Sequence, residues 1–230
     1  MKIYFVRHGH PDYKPDCLTP LGKLQAAACA ERLRDAGLCR IYASTNGRAT
    51  ETAEYTAKVY DLPVIPCDFM REIGWKSIDE EEIPFGGNPW TLSDHFASEG
   101  VSLDRKDWGT VYPYNHSILS VRYPMVTGKF DELLAELGYV REGDYYRVTG
   151  GELLEGAVAV FSHGGSGSAV ISHLLNIPYP QVTGMFSMSC TSVSVVELSS
   201  RVGELVLPKL RLWNDDKHIE GLTVDETFGI

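Results

Sequence analysis

The sequence lacks any apolar run that approaches the roughly 18 residues needed for a membrane-spanning helix. Positive charge is also scarce: 21 Lys and Arg stand against 31 Asp and Glu, which gives a formal net charge of −10 and an isoelectric point of about 5.1. An acidic surface repels nucleic-acid phosphates and anionic lipids, so neither nucleic acid nor a membrane is expected as a partner. A local arginine cluster can reverse the sign inside a pocket, so an anionic small molecule remains compatible with this charge.

Cysteine is scarce and shows no pairing pattern. The chain has five cysteines, an odd number, and no two of them form a C-x-x-C pair. They are Cys17, Cys29, Cys39, Cys67 and Cys190. No secretory signal opens the chain, because Met1 and Lys2 run directly into a strand-like segment. We therefore expect free thiols and a reducing, cytoplasmic compartment.

Several well-known site motifs are missing as well. There is no G-x-x-x-x-G-K-[ST] phosphate loop, and the histidines and cysteines show no metal-ligand spacing, so no metal is expected. Residues 164–168 resemble the nucleophile elbow of serine hydrolases, but Ser168 stands where the final glycine is required. A serine hydrolase centred on Ser166 is therefore a distant alternative.

What the sequence does contain is an alternation of strand and helix patterns. With 230 residues, 43% hydrophobic and 23% charged, the chain is long enough for one α/β domain of ordinary composition. Apolar runs predict strands at 3–6, 41–44, 63–66, 157–161, 191–198 and 205–213, the last two as a hairpin around Gly203. Apolar spacing predicts helices at 18–36, 48–60, 117–137 and 165–175, the first capped by Thr19 and stopped by Gly37.

This alternation favours a largely parallel sheet covered by helices on both faces. Residues 86–116 break the pattern, because they are rich in Gly, Pro, Trp, Tyr and charge. We interpret them as an insertion or lid over the sheet, within a single domain that spans 1–230.

Reactive side chains follow four of the predicted strands directly. They are Arg7-His8-Gly9-His10, Arg48, Arg71-Glu72 and Ser162-His163-Gly164-Gly165. Ligands of open α/β sheets bind beyond the carboxyl ends of the strands. Distant parts of the chain are therefore predicted to bring two histidines, two or three arginines and a carboxylate to one edge of the sheet.

These residue types match the requirements of phosphoryl transfer. Neutral imidazole is a nucleophile near pH 7 and can form a covalent intermediate, which is the role we predict for His8. Arg7 and Arg48 provide planar guanidinium groups that match the equatorial oxygens of a phosphoryl group. His163 adds a further donor, and the backbone N–H groups of Gly164 and Gly165 open a helix, which is a ready anion site.

A leaving oxygen also needs a proton donor. Glu72 is the predicted donor and would later activate water. Asp12 or one of residues 79–82 is an alternative source of the acid, and the acidic run 80–82 is otherwise interpreted as solvated surface.

The motifs occur in the order and context of the histidine phosphatase (phosphoglycerate-mutase-like) superfamily, which the chain resembles. The resemblance rests on Arg7-His8-Gly9, residues 18–22, Gly47-Arg48-Ala49 with Thr52-Ala53, residues 162–165 and residues 214–218, and it excludes only the region around 86–116. It implies a three-layer α/β/α sandwich with a mostly parallel sheet and an antiparallel edge strand. It also implies His8 as nucleophile, Arg7, Arg48 and His163 as phosphate pocket, Glu72 as proton donor, and no metal or organic cofactor.

The chain departs from the usual pattern of that family at three positions, each a candidate substrate contact or a packing residue. His10 stands where Glu, Gln or Asp is common, Lys14 where an asparagine often assists, and His116 where a glutamate is common. The longer mutase signature around the nucleophile is absent, which favours hydrolysis over transfer between two positions of a sugar acid.

Two further groups have open interpretations. The aromatic residues of the insertion form either a lid that selects the leaving group or a small core of their own: Trp90, Trp108, Tyr112 and Tyr114. Three polar residues near the end of the chain are interpreted as structural ties for the last strand: Asn214, Asp215 and His218.

The sequence thus predicts a phosphomonoester hydrolase that acts through a phosphohistidine on a small phosphorylated metabolite. A phosphoglycerate-mutase-type isomerase and a non-catalytic module that binds a phospholigand on the same fold remain alternatives. The identity of the substrate and the oligomeric state, a homodimer included, stay open.

Overall fold

The computed structural model describes residues 1–151 and 155–222. The strands are, in chain order, β1 Lys2–Arg7, β2 Pro11–Asp12, β3 Cys17–Leu18, β4 Leu38–Ser44, β5 Val64–Cys67, β6 Tyr139–Glu142, β7 Tyr145–Val148, β8 Ala157–Ser162, β9 Val193–Glu197, β10 Leu205–Val206 and β11 Lys209–Asp215. The α-helices are α1 Pro20–Arg32, α2 Gly47–Tyr60, α3 Pro89–Ser98, α4 Leu119–Glu136, α5 Gly164–Leu175 and α6 Tyr179–Met185. Within the described ranges, no helix is long and apolar enough to cross a membrane.

The central sheet is mixed and mostly parallel, as predicted. Its strand order is β11-β9-β1-β8-β4-β5, in which β1, β8, β4 and β5 run parallel to one another. Strand β9 is antiparallel to both of its neighbours, β1 and β11. The reversed strand therefore lies one place inside the edge, and the edge strand β11 pairs with it in the antiparallel sense.

Helices cover both faces of this sheet, which confirms the three-layer α/β/α architecture. In β1, Ile3 and Phe5 pack in one apolar core together with buried residues of α4 and α5. Val6, which points to the opposite face, belongs to a second core with α1 and α2. Every residue of β8 is buried, because this strand lies between two others and under helices on both sides.

The first helix is shorter than predicted. The Oγ1 atom of Thr19 accepts a hydrogen bond from the N–H of Gly22 at 3.1 Å, which confirms the predicted cap. The helix ends at Arg32, because the chain turns after the buried Leu33 toward β4, so the predicted extension to Gly37 is wrong. Leu24 is also 57% exposed, although the helical spacing placed it with the apolar residues.

Residues 86–116 contain a helix, α3, that the sequence patterns did not predict. Helix α3 begins at Pro89, and the side chain of Asn88 caps it by accepting a hydrogen bond from the N–H of Trp90 at 3.0 Å. Trp108 and Tyr114 are buried against each other in edge-to-face geometry, so for these two residues the small-core interpretation is confirmed.

The last third of the chain differs from the prediction in its strand pairing. Strands β6 and β7 form a hairpin that the sequence patterns did not reveal, and β10 pairs with β7 in a separate three-stranded sheet. The predicted strand 205–213 is therefore two strands, separated by Leu207 and Pro208. Only the second of them, β11, forms the expected antiparallel pair with β9.

The cysteines at 17, 29, 39, 67 and 190 are unpaired, as expected.

The segment after β1 is held against the first turn of α1 by a close backbone approach. A Cβ atom added at Gly22 would lie 2.2 Å from the carbonyl oxygen of His10, and one added at Gly9 would lie 2.7 Å from the carbonyl oxygen of Gly22. Residues 8–10 can therefore follow this path only because neither glycine carries a side chain.

We predict that Gly22→Ala lowers the free energy of unfolding by about 1–3 kcal/mol, because the new methyl group meets backbone that cannot rotate away. Gly128→Ala in α4 is the matched control, since a Cβ there meets nothing within 4 Å. That variant should gain about 0.5–1 kcal/mol from reduced backbone entropy in the unfolded chain. Urea unfolding measures both changes, and equal stability of the two variants would contradict the packing argument.

Candidate active site

The parallel pairing of β1 with β8 brings the two predicted histidines together. Arg7, the last residue of β1, is in register with Ser162, the last residue of β8. The residues that follow, His8 and His163, therefore leave the sheet side by side. Their ring centroids are 5.1 Å apart, and their exposed fractions are 2% and 0%.

Burial keeps the His8 imidazole neutral. It lowers the pKa of His8 well below the ordinary value, and the nearby Arg7 and Arg48 lower it further. The Nδ1 atom of His8 lies 2.8 Å from the carbonyl oxygen of Gly9, so we assign the proton to Nδ1. The Nε2 atom then carries a lone pair, which is the form that a nucleophile requires.

His163 is neutral for related reasons. Burial again lowers its pKa most, and the charges of Arg48 and Arg7 lower it further. Its Nε2 atom is 2.8 Å from the Oγ atom of Ser44, at the end of β4. Its Nδ1 atom is buried and has no hydrogen-bond partner in the part of the chain that the structure describes.

The two predicted arginines are each held at one end of the guanidinium group. Arg7 donates from Nη1 to the carbonyl oxygen of Met188, and Arg48 donates from Nη1 to the carboxylate of Asp16. Among residues 1–151 and 155–222, the buried Nε atoms of both arginines have no hydrogen-bond partner, like Nδ1 of His163. Leaving such a group unpaired costs about 1–3 kcal/mol, and more for a charged one. Three buried nitrogens of the predicted site are therefore free to donate to an anion.

Asp16 is a site residue that the sequence patterns did not reveal. Its carboxylate accepts hydrogen bonds from the N–H of Gly47 at 2.8 Å and from the side chain of Asn46 at 3.1 Å, in addition to Arg48. Desolvation opposes ionisation, but these hydrogen bonds prevail and lower the pKa of Asp16. The Tyr13 ring lies 5.3 Å from the Cζ atom of Arg48. No local signal marks Asp16, because its partners lie about thirty positions along the chain.

The predicted proton donor, Glu72, lies at the start of α5. Its Oε1 atom accepts hydrogen bonds from the N–H groups of Ile73 at 2.8 Å and Ser166 at 3.1 Å, and Oε2 accepts one from Gly165 at 3.4 Å. The N–H groups predicted to hold substrate at this helix terminus are thus partly occupied by the carboxylate itself. Glu72 is nevertheless close to His163, which immediately precedes the helix.

The alternative acids have other surroundings. Asp79 lies 2.6 Å from the Nδ1 atom of His116, beside the half-exposed Tyr112. Asp12 is exposed and accepts a hydrogen bond from the N–H of Lys14. Glu72 is thus the candidate that the structure places at the helix beginning next to His163.

The three positions that depart from the family pattern lie around the site in different ways. His10 is tied to α1 by its Nδ1 atom, 2.9 Å from Oγ1 of Thr19, and by its N–H group, which donates to Gln25. Lys14 is exposed on the loop that also carries Asp16. His116 is bound to Asp79 in the insertion.

Asn214 and His218, two of the residues predicted to anchor the last strand, hold the segment that contacts the backbone of His8. The side chain of Asn214 accepts a hydrogen bond from the N–H of Ser189 at 2.6 Å, and Nε2 of His218 lies 3.1 Å from Oγ1 of Thr191. The N–H of Thr191 in turn donates to the carbonyl oxygen of His8 at 3.3 Å. Asp215 forms an ion pair with Arg32 of α1 at 2.9 Å.

Thr52 supports the loop that carries His8. The sequence patterns placed this residue in a family motif but assigned it no role. Oγ1 of Thr52 in α2 accepts a hydrogen bond from the N–H of Gly9 at 3.0 Å and itself donates to the carbonyl oxygen of Arg48 at 2.7 Å. One hydroxyl group thus connects the loop of His8 to the helix that carries Arg48.

Across residues 1–151 and 155–222, no three His, Cys, Asp or Glu side chains are arranged to hold a metal ion.

We predict that the protein loses stability as the pH falls below about 6.5, the ordinary pKa of histidine. Burial lowers the pKa values of His8, His163 and His218 in the folded state, so the unfolded chain binds protons first. Each histidine that stays neutral should remove up to about 1.4 kcal/mol of unfolding free energy per pH unit below that value. Urea unfolding between pH 7.5 and 5.5 measures this slope.

His163→Gln should make that slope shallower, because it removes one of the buried titrating groups. The partly exposed His95 provides the control, and His95→Gln should leave the slope unchanged. An unfolding free energy that is constant over this pH range would contradict the assignment of neutral, buried histidines.

Sequence comparison relates the first part of the chain to a known family. Residues 3–85 match the model of the histidine phosphatase superfamily (branch 1). A probable phosphoglycerate mutase from Proteus mirabilis (strain HI4320) is 32% identical over 92 residues, which are 36% of this chain and 43% of that protein. The match thus spans less than half of the curated relative.

Solved structures are similar over nearly the whole chain. A mycobacterial glucosyl-3-phosphoglycerate phosphatase in complex with VO3 has a TM-score of 0.61 and 21% identity, covering 93% of this chain and 98% of the other. A phosphoserine phosphatase from Entamoeba histolytica in complex with phosphoserine has a TM-score of 0.60 and 20% identity, covering 95% and 98%. At such identities the likeness demonstrates a common fold. The family match itself is confined to residues 3–85, so it relates that part of the chain to the histidine phosphatase superfamily.

Proposed function

We propose that the chain is a phosphomonoester hydrolase that forms a phosphohistidine on His8. One observation carries this proposal: the unpaired nitrogens of Arg7, Arg48 and His163 lie buried beside a neutral imidazole. A tetrahedral dianion would provide acceptors for all three groups, and the imidazole would be placed to attack its central atom.

In the first step, Nε2 of His8 attacks phosphorus in line with the ester oxygen. An N–P bond forms while the P–O bond to the leaving group breaks. Arg7, Arg48 and His163 bind the equatorial oxygens, on which charge accumulates in the transition state. Glu72 in its acid form gives its proton to the departing oxygen, which leaves as an alcohol.

In the second step, water attacks phosphorus and the N–P bond breaks. The Glu72 carboxylate accepts the proton of the water, which restores the acid form, and Nε2 of His8 regains its lone pair. Inorganic phosphate is the second product. A positioned acid and base of this kind contributes about 10²–10⁴-fold to the rate.

The substrate class that we infer is a small phosphorylated metabolite. Two structurally similar proteins are named as phosphatases of glucosyl-3-phosphoglycerate and of phosphoserine, both small phosphate esters. The acidic net charge and the unpaired thiols support a cytoplasmic location.

We predict that His8→Ala abolishes hydrolysis of 4-nitrophenyl phosphate and the protein-bound phosphate that acid quenching of the wild type should trap. His95→Ala is the control: it changes a partly exposed histidine of the insertion and should keep full activity. Chelators should have no effect on the wild type. Undiminished turnover by His8→Ala would exclude the phosphohistidine mechanism.

A phosphoglycerate mutase is the second candidate, because the Proteus mirabilis relative is named as a probable one. With 3-phosphoglycerate as substrate, hydrolysis releases inorganic phosphate, whereas an isomerase produces 2-phosphoglycerate and retains the phosphoryl group. We expect that any turnover releases phosphate. Accumulation of 2-phosphoglycerate would favour the mutase, and binding of phosphate without turnover of any ester would favour a binding module.

A further inference from the structure

An indole ring borders the proposed phosphate pocket. Trp90, in the first turn of α3, packs on the backbone of Gly164, the first residue of α5. A Cβ atom added at Gly164 would lie 2.8 Å from Cζ2 of Trp90 and 3.8 Å from Nε of Arg7. The benzo edge of Trp90 thus lies close to one of the unpaired nitrogens that await an anion.

A second indole extends this surface outward. Trp75 contacts Trp90 edge to face, with ring centroids 5.6 Å apart and an interplanar angle of 82°. It is 42% exposed, although it is one of the largest apolar side chains in the protein. Trp75 is also only three positions after Glu72, the proposed donor to the leaving oxygen. The Glu72 carboxylate contacts the N–H of Gly165, and Trp90 packs on the adjacent Gly164, so both border the first turn of α5.

Arg71, four positions before Trp75 in the chain, has a charged partner. Arg71 lies 3.8 Å from the carboxylate of Asp68, which is itself bound by the hydroxyl of Thr45 at 2.7 Å. Through Trp90, the pair of indole rings borders the backbone of Gly164 at this side of the pocket. Flat, apolar groups are the natural partners of exposed indole rings.

We propose that Trp75 and Trp90 form an aromatic subsite for the leaving group, so that the preferred substrates are phosphate esters of alcohols carrying an aromatic ring. This inference rests on the proposed phosphatase function and specifies its substrate class. Contact between the substrate ring and an indole should improve KM by about 2- to 12-fold.

The test compares benzyl phosphate, glycerol 1-phosphate and phosphoserine. The first two are esters of unactivated primary alcohols, so their comparison reports the ring rather than the leaving-group basicity. We expect the wild type to prefer benzyl phosphate in kcat/KM. Trp75→Ala and Trp90→Phe should raise KM for benzyl phosphate while leaving KM for glycerol 1-phosphate and inhibition by inorganic phosphate nearly unchanged. Tyr145→Ala, which removes an exposed ring of β7, is the control and should change none of these values.

Equal kcat/KM for benzyl phosphate and glycerol 1-phosphate would overturn the subsite, as would parallel losses on both esters in Trp75→Ala. A preference for phosphoserine that Arg71→Ala removes would show a carboxylate subsite in its place. If no ester is hydrolysed, the proposed function fails, and binding then tests the subsite separately. In that case calorimetry with phenylphosphonate and methylphosphonate supports the subsite only if the phenyl compound binds more tightly in the wild type and this advantage disappears in Trp75→Ala.

Discussion

The desolvation of two adjacent histidines at the end of β1 and β8 is the physical constraint on which the site depends. Parallel strands covered on both faces bury whatever follows them, and here His8 and His163 follow them. Burial beside two guanidinium groups lowers both histidine pKa values, which leaves the imidazoles uncharged near neutral pH. The same burial leaves donor nitrogens without partners among the described residues, so the proposed nucleophile and the proposed anion site have one physical cause.

The pocket also shows that net charge does not describe a local site. The protein carries a formal charge of −10, yet two guanidinium groups, those of Arg7 and Arg48, lie near His8. Arg48 has a carboxylate partner, Asp16. That carboxylate is held by the beginning of α2 through Asn46 and Gly47, so it fixes the direction of Arg48 without occupying its Nε atom. One guanidinium edge is thereby used for positioning, and the other remains available for binding.

Sequence patterns predicted the parts of this arrangement that have local causes. Strand β8 has a continuous apolar run, Thr19 caps a helix, and the histidines follow strands, so each of these features is encoded within a few positions. The hairpin of β6 and β7 was missed because its strands are short and half exposed, with charged residues among the aromatic ones. Asp16 and Ser44 were missed because their contacts with Arg48 and His163 span 32 and 119 positions, a distance that no periodicity reports.

At the beginning of α5, the proposed proton donor and the proposed phosphate contacts are different groups. A helix N-terminus can bind an anion, and here the side chain in contact with the N–H groups of Gly165 and Ser166 is that of Glu72. The unpaired nitrogens that we propose as phosphate contacts belong instead to side chains, those of Arg7, Arg48 and His163. Trp90 lies within residues 86–116, outside the motifs on which the family resemblance rests, whereas the proposed phosphate contacts lie within those motifs. The proposed leaving-group surface and the proposed phosphate pocket meet at the backbone of Gly164, on which Trp90 packs.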